Sequence, residues 1–265
     1  MTGRTRAAIA AAVALALALP PTARAAVTIG SDLSGQPVSP SANGTWVNSA
    51  LEAGRRASGG LHSPVDGVIT RWRIKVGEKT APIALRVIDP LGGGLYTGAG
   101  SSDLVTPAVN VTSTFPTQLH ISRGDLLGTE TAGGLVSQFD TDASPNYTLL
   151  LFWFAPPLAD GGPPSSPNLE AGGYVNLINA DIEPTSRFRI KRVKRLAGGR
   201  LWIAAKLPNE GTLRIDDLKL AVPAPGWRIV VVRPHGATMR LSFIPLDGSR
   251  FTRLLRPTAP APAAD

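Results

Sequence analysis

The feature that most constrains the fold of this 265-residue chain is a series of short apolar runs that repeat every two residues. The clearest run begins at Gly67, where two interleaved sets of residues differ in polarity. The set expected on the buried face is Val68, Thr70, Trp72, Ile74 and Val76, and the other set is Ile69, Arg71, Arg73 and Lys75. Because successive side chains of a strand point to opposite sides, this alternation predicts a half-buried β-strand.

Similar runs recur along the chain, and turn-forming residues separate them. In residues 82–88, Ile83, Leu85 and Val87 are expected to face inward and Arg86 outward. The chain has 28 glycines and 24 prolines, and no helical periodicity lies between the runs. This combination predicts an all-β protein with many turns. Cysteine is absent, which excludes disulfides, catalytic thiols and thiolate metal sites.

The first 25 residues have the pattern of a secretory signal peptide. Arg4 and Arg6 precede an apolar run from Ala7 to Leu19, and small residues surround a cleavage site at Ala23-Arg24-Ala25. A helix needs about 20 apolar residues to span a bilayer, and this run is shorter. No later segment is a transmembrane candidate. We therefore expect a secreted, extracellular protein, either released or associated with the cell envelope.

Charge divides the remaining chain into two parts. Residues 26–183 contain 8 Lys/Arg and 14 Asp/Glu, whereas residues 184–265 contain 16 Lys/Arg and 5 Asp/Glu. From the strand spacing we predict an acidic, jelly-roll-like β-sandwich over residues 26–183. Seven short strands predict a smaller, basic, immunoglobulin-like β-sandwich over residues 184–257, in which Ile229 and Val231 mark one strand. Residues 258–265 form a Pro/Ala tail that we expect to be disordered. The alternation does not fix the strand order.

Two groups of motifs resemble known exported proteins. The segments Gly67–Ile74, Leu85–Val87, Phe115–Leu119 and Arg123–Gly128 resemble a β-sandwich domain of exported actinobacterial proteins of unassigned function. The segments Gly199–Ile203, Leu207–Leu213 and Leu241–Gly248 are similar to bacterial immunoglobulin-like repeats of the same group. The shared residues belong to turns and cores, so the resemblance implies fold and location, and it supplies no catalytic residue.

The strongest local signal is a basic run at the start of the second module. It consists of Arg187, Arg189, Lys191, Arg192, Lys194 and Arg195. On a strand, Arg187, Arg189 and Lys191 share the face opposite Phe188 and Ile190, and this charged row suits an anionic cell-envelope polymer. Two other interpretations stay open: the row protects an edge strand from aggregation, or it is only solvated. We predict no specific nucleic-acid partner, and the oligomeric state stays open.

Catalytic motifs are absent from the sequence. His62, His120 and His235 do not have the close spacing of zinc ligands, and there is no Gly-x-Ser-x-Gly elbow. His62 and Ser63 are adjacent and would point to opposite sides of a strand. We therefore expect a non-enzymatic binding or structural protein. A hydrolase with an unrecognised site is an alternative, because catalytic triads are defined by geometry and not by sequence order.

The first module offers weaker candidate sites. Exposed Trp46 and Tyr96 would make it a carbohydrate-binding module, because aromatic faces stack on sugar rings. Asp140 and Asp142 could bind calcium, although the other ligands of a calcium loop are missing, and we expect no other cofactor. Arg123-Gly124-Asp125 spells an adhesion tripeptide, but its residues are typical of a tight turn. Gly92-Gly93-Gly94 lacks the lysine of a phosphate-binding loop and is also predicted to be a turn.

Overall fold

The computed structural model of the protein describes residues 26–41, 43–50, 60–141, 150–246 and 250–256. The predicted signal peptide at residues 1–25 and the predicted tail at residues 258–265 lie outside the described residues. The described part contains twenty β-strands and one short 3-10 helix, η1 (Ala197–Gly199). The prediction of an all-β protein is therefore confirmed.

Thirteen strands belong to the first module. They are β1 (Val27–Gly30), β2 (Ser39–Ser41), β3 (Gly44–Ala50), β4 (Gly67–Lys75), β5 (Ile83–Gly92), β6 (Leu95–Ser101), β7 (Thr112–Ile121), β8 (Leu126–Thr131), β9 (Val136–Thr141), β10 (Leu150–Phe154), β11 (Leu169–Gly172), β12 (Tyr174–Asn176) and β13 (Ile178–Pro184). Sheet I has the order β1-β13-β4-β7, sheet II has the order β11-β10-β3-β8-β5-β6, and sheet III has the order β12-β9-β2.

Sheets I and II enclose the main core of this module. Sheet I contributes side chains from β1, β4 and β13, and sheet II contributes side chains from β5 and β8. The largest of these buried side chains are Ile29, Ile69, Trp72, Ile74, Ile83 and Leu85. Two antiparallel sheets around one core form a β-sandwich, whereas the jelly-roll type of this sandwich stays a prediction.

The predicted buried face of β4 is wrong at its first residues. Ile69 is fully buried and Val68 is only half-buried, although Trp72 and Ile74 face the core as expected. The pairing of β4 with β13 shifts by one residue at this point, because Asp181 and Ile182 are consecutive but pair with Arg71 and Ile69. The extra residue, Thr70, reverses the alternation, which is the usual effect of a β-bulge.

The outer face of sheet II is covered by the irregular chain after β10. Leu158 from this chain packs with Val47, Ile88, Phe152 and Phe154 of sheet II, and so forms a second, smaller core. Residues 155–168, which are rich in proline, glycine and serine, therefore have a structural role in addition to connecting strands.

This cover also buries Arg86, which points away from sheet I as predicted but is only 5% exposed. Its guanidinium binds the Glu130 carboxylate and the Leu158 carbonyl, and Nη2 lies 2.7 Å from Asp160 Oδ1. The Ser101 hydroxyl donates to the other oxygen of Asp160 at 2.7 Å. A buried guanidinium is stable only with such partners, because burying an unpaired charge is costly.

Seven strands form the second module. They are β14 (Arg189–Arg195), β15 (Leu201–Leu207), β16 (Gly211–Ile215), β17 (Leu218–Val222), β18 (Gly226–Val232), β19 (Met239–Pro245) and β20 (Phe251–Leu255). Sheet IV has the order β14-β15-β18 and sheet V has the order β17-β16-β19-β20. In a constant-type immunoglobulin domain the fourth strand pairs with the fifth, whereas here β17 pairs with the third strand, β16.

The core of this module lies between sheets IV and V. Sheet IV contributes Leu201, Ile203 and Leu207, and sheet V contributes Leu213 and Phe243, together with their neighbours. On β18, Val230 and Val232 pack against this core. Ile229 and Val231, which mark this strand in the sequence, point to the opposite side of sheet IV.

The side chain of Asn209 connects the two modules. Its Nδ2 donates to the carbonyl oxygens of Asp66 at 3.1 Å and Thr185 at 2.8 Å, and its Oδ1 accepts from the Asp66 N–H at 3.0 Å. The Thr185 N–H also donates to the Asp66 carbonyl at 2.8 Å. Asp66 precedes β4, and Asn209 lies between β15 and β16, so these bonds fix the second module against the end of the first.

We predict that Arg86→Ala destabilises the protein by about 3 kcal/mol, because it leaves Glu130, Asp160 and the Leu158 carbonyl without their buried partner. Urea unfolding followed by tryptophan fluorescence measures this change in the free energy of unfolding. Arg123→Ala is the matched control, since the Arg123 side chain is exposed in the same module, and it should change stability by less than about 0.5 kcal/mol. Equal effects of the two substitutions would contradict the assigned role of Arg86.

Candidate functional site

The basic run of the second module lies on β14, at one edge of sheet IV. Arg189 pairs with Lys206, Arg192 with Ala204 and Lys194 with Trp202. The register shifts by one residue at Lys191, between Ile190 and Arg192. Because of this bulge, Arg192 and Lys194 share the outward side with Arg189, which a strict alternation of two residues would not allow.

The outward side of sheet IV is a mixed basic and apolar surface. We call it the outer face of sheet IV and define it by Arg189, Lys191, Arg192 and Lys194 of β14, Trp202, Ala204 and Lys206 of β15, and Trp227, Ile229 and Val231 of β18. Opposed residues of an antiparallel pair lie on the same side of a sheet, and Trp202, Ala204 and Lys206 pair with Val231, Ile229 and Trp227, respectively. The face therefore has three columns of side chains. The column on β14 is basic, the column on β15 is mixed and the column on β18 is apolar.

The apolar column of this face is open to solvent. Trp227 is 48% exposed, Ile229 is 63% exposed and Val231 is 45% exposed. All three belong to β18, which is the second edge of sheet IV. Single exposed apolar residues are common on proteins, but a contiguous row beside charged residues is typical of an interaction surface.

Two lysines connect the basic and aromatic parts of the face. The Lys191 ammonium lies 5.3 Å from the centre of the Trp227 ring, and the Lys194 ammonium lies 5.6 Å from the centre of the Trp202 ring. Both distances are within the range of cation–π attraction, which is worth about 0.5–1 kcal/mol at exposed sites. Each of these two rings thus has a cation held beside it.

The charged residues of the three strands of sheet IV are of one sign. The sequences of β14, β15 and β18 contain seven basic residues and no acidic residue. Protection of an edge strand accounts for basic residues on β14. It does not account for β18, because an edge strand that exposes tryptophan and isoleucine favours association.

Four of the six basic residues predicted from the sequence lie on this face, and the other two have separate positions. Arg189, Lys191, Arg192 and Lys194 come together on the outer face of sheet IV. Arg187 precedes β14 and lines a cleft between the modules together with Asp66 and Phe251, and with Arg189 and Lys206 of the outer face. Arg195 pairs with Leu201 at the end of β14, in the register of residues that face the core.

The sequence reasoning missed Lys206, Trp202, Trp227 and Ile229. For Trp227 and Ile229 the available signal was the neighbouring run of residues 229–232, which is apolar on both faces.

The aromatic residues proposed for glycan binding are not an exposed pair. Trp46 is 8% exposed, with its ring stacked 5.6 Å from that of Trp153 and packed against Phe139. The expectation that Trp46 is exposed is therefore wrong, because Phe139, Leu151 and Trp153 pack around its ring. Tyr96 is half-buried, and its ring packs edge-on against Phe152 and Phe154. Burial, together with the negative charge of Glu170, raises the pKa of Tyr96.

The candidate calcium site is described only in part. Asp140 lies on β9 and is buried, and it pairs with Val175 of β12. Asp142 lies outside the described residues. Within the part of the chain that the structure describes, no group of three or more histidine, cysteine, aspartate or glutamate side chains could hold a metal ion.

The residues around His62 form a structural turn. His62 Nδ1 lies 2.8 Å from the Gly124 carbonyl oxygen, and the Ser63 hydroxyl donates to the Val65 carbonyl at 2.7 Å. Arg123 and Gly124 occupy the centre of a turn that the Asp125 N–H closes onto the Ser122 carbonyl at 3.1 Å, and Gly124 has φ +98°. The Asp125 side chain is buried, unlike that of an accessible adhesion tripeptide.

The pKa of Asp125 is raised to about 6 by burial. The hydrogen bond from the Ser122 N–H lowers it, and the negative charges of Asp89 and Asp66 add to the rise. Asp125 Oδ2 accepts that hydrogen bond at 2.8 Å. This carboxyl is therefore a pH-sensitive group within the turn.

No helix among the described residues is long and apolar enough to cross a membrane. Comparisons with protein-family models, with curated proteins and with solved structures found no match.

We predict that Asp125→Asn stabilises the protein more at pH 7.5 than at pH 4.5. The native pKa of about 6 exceeds the ordinary value of 3.8, so between these values the native state holds a proton that the unfolded chain has released. The contribution of Asp125 to stability therefore falls as the pH rises through this window. The difference in unfolding free energy between variant and wild type, measured by urea unfolding at several pH values, should rise over the same window. A pH-independent difference would show that the pKa is not raised.

Proposed function

We propose that the protein is an exported, non-enzymatic binding protein that attaches to anionic polymer of the cell envelope through the outer face of sheet IV. The observation that carries the proposal is the gathering of Arg189, Lys191, Arg192, Lys194 and Lys206 on one face, on strands without an acidic residue. A surface of one charge attracts the opposite charge and raises its local concentration.

The geometry supports contact with several charges at once. Neighbouring strands are about 4.8 Å apart and residues on one side of a strand are about 6.6 Å apart. Arginine and lysine side chains at such spacing can reach successive phosphates or carboxylates of an extended polymer. Arginine also binds both oxygens of such a group through its planar fork.

Two features of the sequence support the cellular setting of this proposal. The signal-peptide pattern of residues 1–25 would bring the chain to the envelope, where anionic polymers are abundant. The negative charge of residues 26–183 would be repelled by the same polymers, so the second module would contact the envelope and the first would be held away from it.

We predict that the double variant Arg189→Ser/Arg192→Ser binds immobilised poly(glycerol phosphate) about thirtyfold more weakly than the wild type, because each of the two basic residues near an anionic surface contributes on the order of 1 kcal/mol. Surface plasmon resonance with the purified protein at about 0.1 M salt measures the affinity, and higher salt should weaken wild-type binding by screening.

The matched control is Arg240→Ser/Arg253→Ser. Both arginines are exposed and lie on sheet V of the same module, so the net charge changes equally while the outer face of sheet IV stays intact. The control should bind nearly as the wild type does. Equal losses in the two double variants would assign binding to net charge alone, and a wild type that does not bind at low salt would refute the proposed function.

A further inference from the structure

We infer that the outer face of sheet IV docks on the surface of a phospholipid bilayer that contains anionic headgroups. The inference rests on the proposed function, because it uses the same face and the same attraction to anionic groups, and it goes beyond that function by assigning a lipid partner. Phosphodiesters occur both in lipid headgroups and in soluble envelope polymers, and basic residues recognise both. The feature that separates the two is the apolar column of the face, which a soluble polyanion has no means to cover.

The apolar column is suited to shallow insertion. Trp227, Ile229 and Val231 alternate along β18 with side chains that face the core, so all three project from the same side of the sheet. Trp202 adds a second ring at the far end, opposite Val231. Tryptophan prefers the boundary between headgroups and acyl chains, and aliphatic side chains gain free energy when they leave water.

The basic column is placed to contact headgroups at the same time. The basic residues of β14 lie two strands away from the apolar residues of β18, a distance of about 10 Å. The long side chains of arginine and lysine can bury their stems while their charged ends stay at the level of the phosphates. A face laid flat on a bilayer therefore satisfies its charged and apolar residues together.

The two cation–π contacts fit the same arrangement. Lys191 lies over Trp227 and Lys194 lies over Trp202, so each ring that enters the boundary region has an ammonium group beside it. The ring would contact the acyl boundary while the ammonium contacts a headgroup phosphate. The bilayer thus receives paired apolar and cationic groups at both ends of the face.

Other occupants fit the face less well. A second copy of the chain docked face to face would bring two basic columns together without acidic residues to balance them, and like charges opposed in an interface are costly. A single-stranded nucleic acid would stack its bases on Trp202 and Trp227, but Ile229 and Val231 between them offer no ring for stacking. A lipid surface uses both kinds of apolar side chain.

The test compares Ile229→Ser with Leu254→Ser. Both side chains are 63% exposed, and Leu254 lies on sheet V, away from the proposed surface. Binding of the full chain is measured by sedimentation with vesicles of phosphatidylcholine containing about 30% phosphatidylglycerol, and with phosphatidylcholine alone, since anionic lipid supplies the surface potential. Poly(glycerol phosphate) is the soluble probe, because it carries glycerol phosphodiesters without acyl chains.

We expect Ile229→Ser to weaken binding to the anionic vesicles about tenfold, because it removes one inserted aliphatic side chain, and to leave polymer binding unchanged. Leu254→Ser should change neither, and Arg189→Ser/Arg192→Ser should weaken both. Tryptophan fluorescence gives a second readout. Brominated acyl chains should quench the wild type, and Trp227→Phe should lose part of that quenching while it still binds.

The possible outcomes separate this inference from the proposed function. Vesicle binding that is insensitive to Ile229→Ser, or quenching that Trp227→Phe leaves unchanged, would overturn insertion. Binding to poly(glycerol phosphate) without binding to vesicles would overturn the bilayer inference and leave the proposed function in place. Tighter binding to single-stranded DNA than to vesicles would also overturn the inference. A protein that binds none of the probes at low salt would refute both.

Discussion

A β-strand has two faces, and only one of them can line the core of a two-sheet sandwich. The other face must be wetted, covered by another part of the chain or used to bind a partner. This constraint is strict here because the chain has no cysteine, and its described part has no helix beyond η1, so sheet packing provides most of the stability. Much of the structure follows from what happens to the second face of each sheet.

In the first module, the outer face of sheet II is covered by chain and the outer face of sheet I is polar. On sheet II, residues 155–168 cover the outer face and enclose Arg86 with its acidic partners. On sheet I, the outer face is polar: Arg71, Arg73 and Thr28 bind the buried Asp181 carboxylate. Burial alone would raise the pKa of Asp181, but the hydrogen bonds from Arg73, Thr28 and Arg71 and the charge of Arg73 outweigh it and lower the pKa. Asp181 therefore stabilises the native state above the ordinary aspartate pKa, and this contribution is lost as the pH falls through the native pKa. In both places a basic side chain is balanced by an acidic one.

In the second module, sheet IV contains no acidic residue of its own. Its basic residues have no carboxylate within β14, β15 or β18, and Ile229 and Val231 have no covering chain among the described residues. The contrast with Arg86 is informative, since the same residue type on an outer face is enclosed in one module and open in the other. An open face that combines unbalanced charge with exposed apolar side chains is the arrangement expected when the cover is supplied by a partner.

The sequence predicted the strands well because period-two alternation depends on local geometry. It failed where one extra residue changes that geometry: Thr70 reverses the buried side of β4, and the bulge at Lys191 moves Arg192 and Lys194 to the outer face of sheet IV. The sequence also failed to predict burial by distant parts of the chain, as for Arg86 and Trp46. The basic half of the candidate site was predictable from composition. The apolar half was not, because valine and isoleucine on β18 are equally compatible with burial, and only the pairing with β15 shows which of them face outward.

The opposite net charges of the two modules would orient the protein on an anionic surface. The bonds of Asn209 to Asp66 and Thr185 join the modules over a short connection, so an anionic surface that attracts the second module acts on the whole protein. The same surface repels the first module, whose residues carry an excess of acidic groups. Attraction at one end and repulsion at the other would orient the protein before any side chain makes contact, and the apolar column of β18 would then add short-range adhesion. Charge would thus determine which face arrives at the surface, and Trp227 and Ile229 would determine whether it stays there.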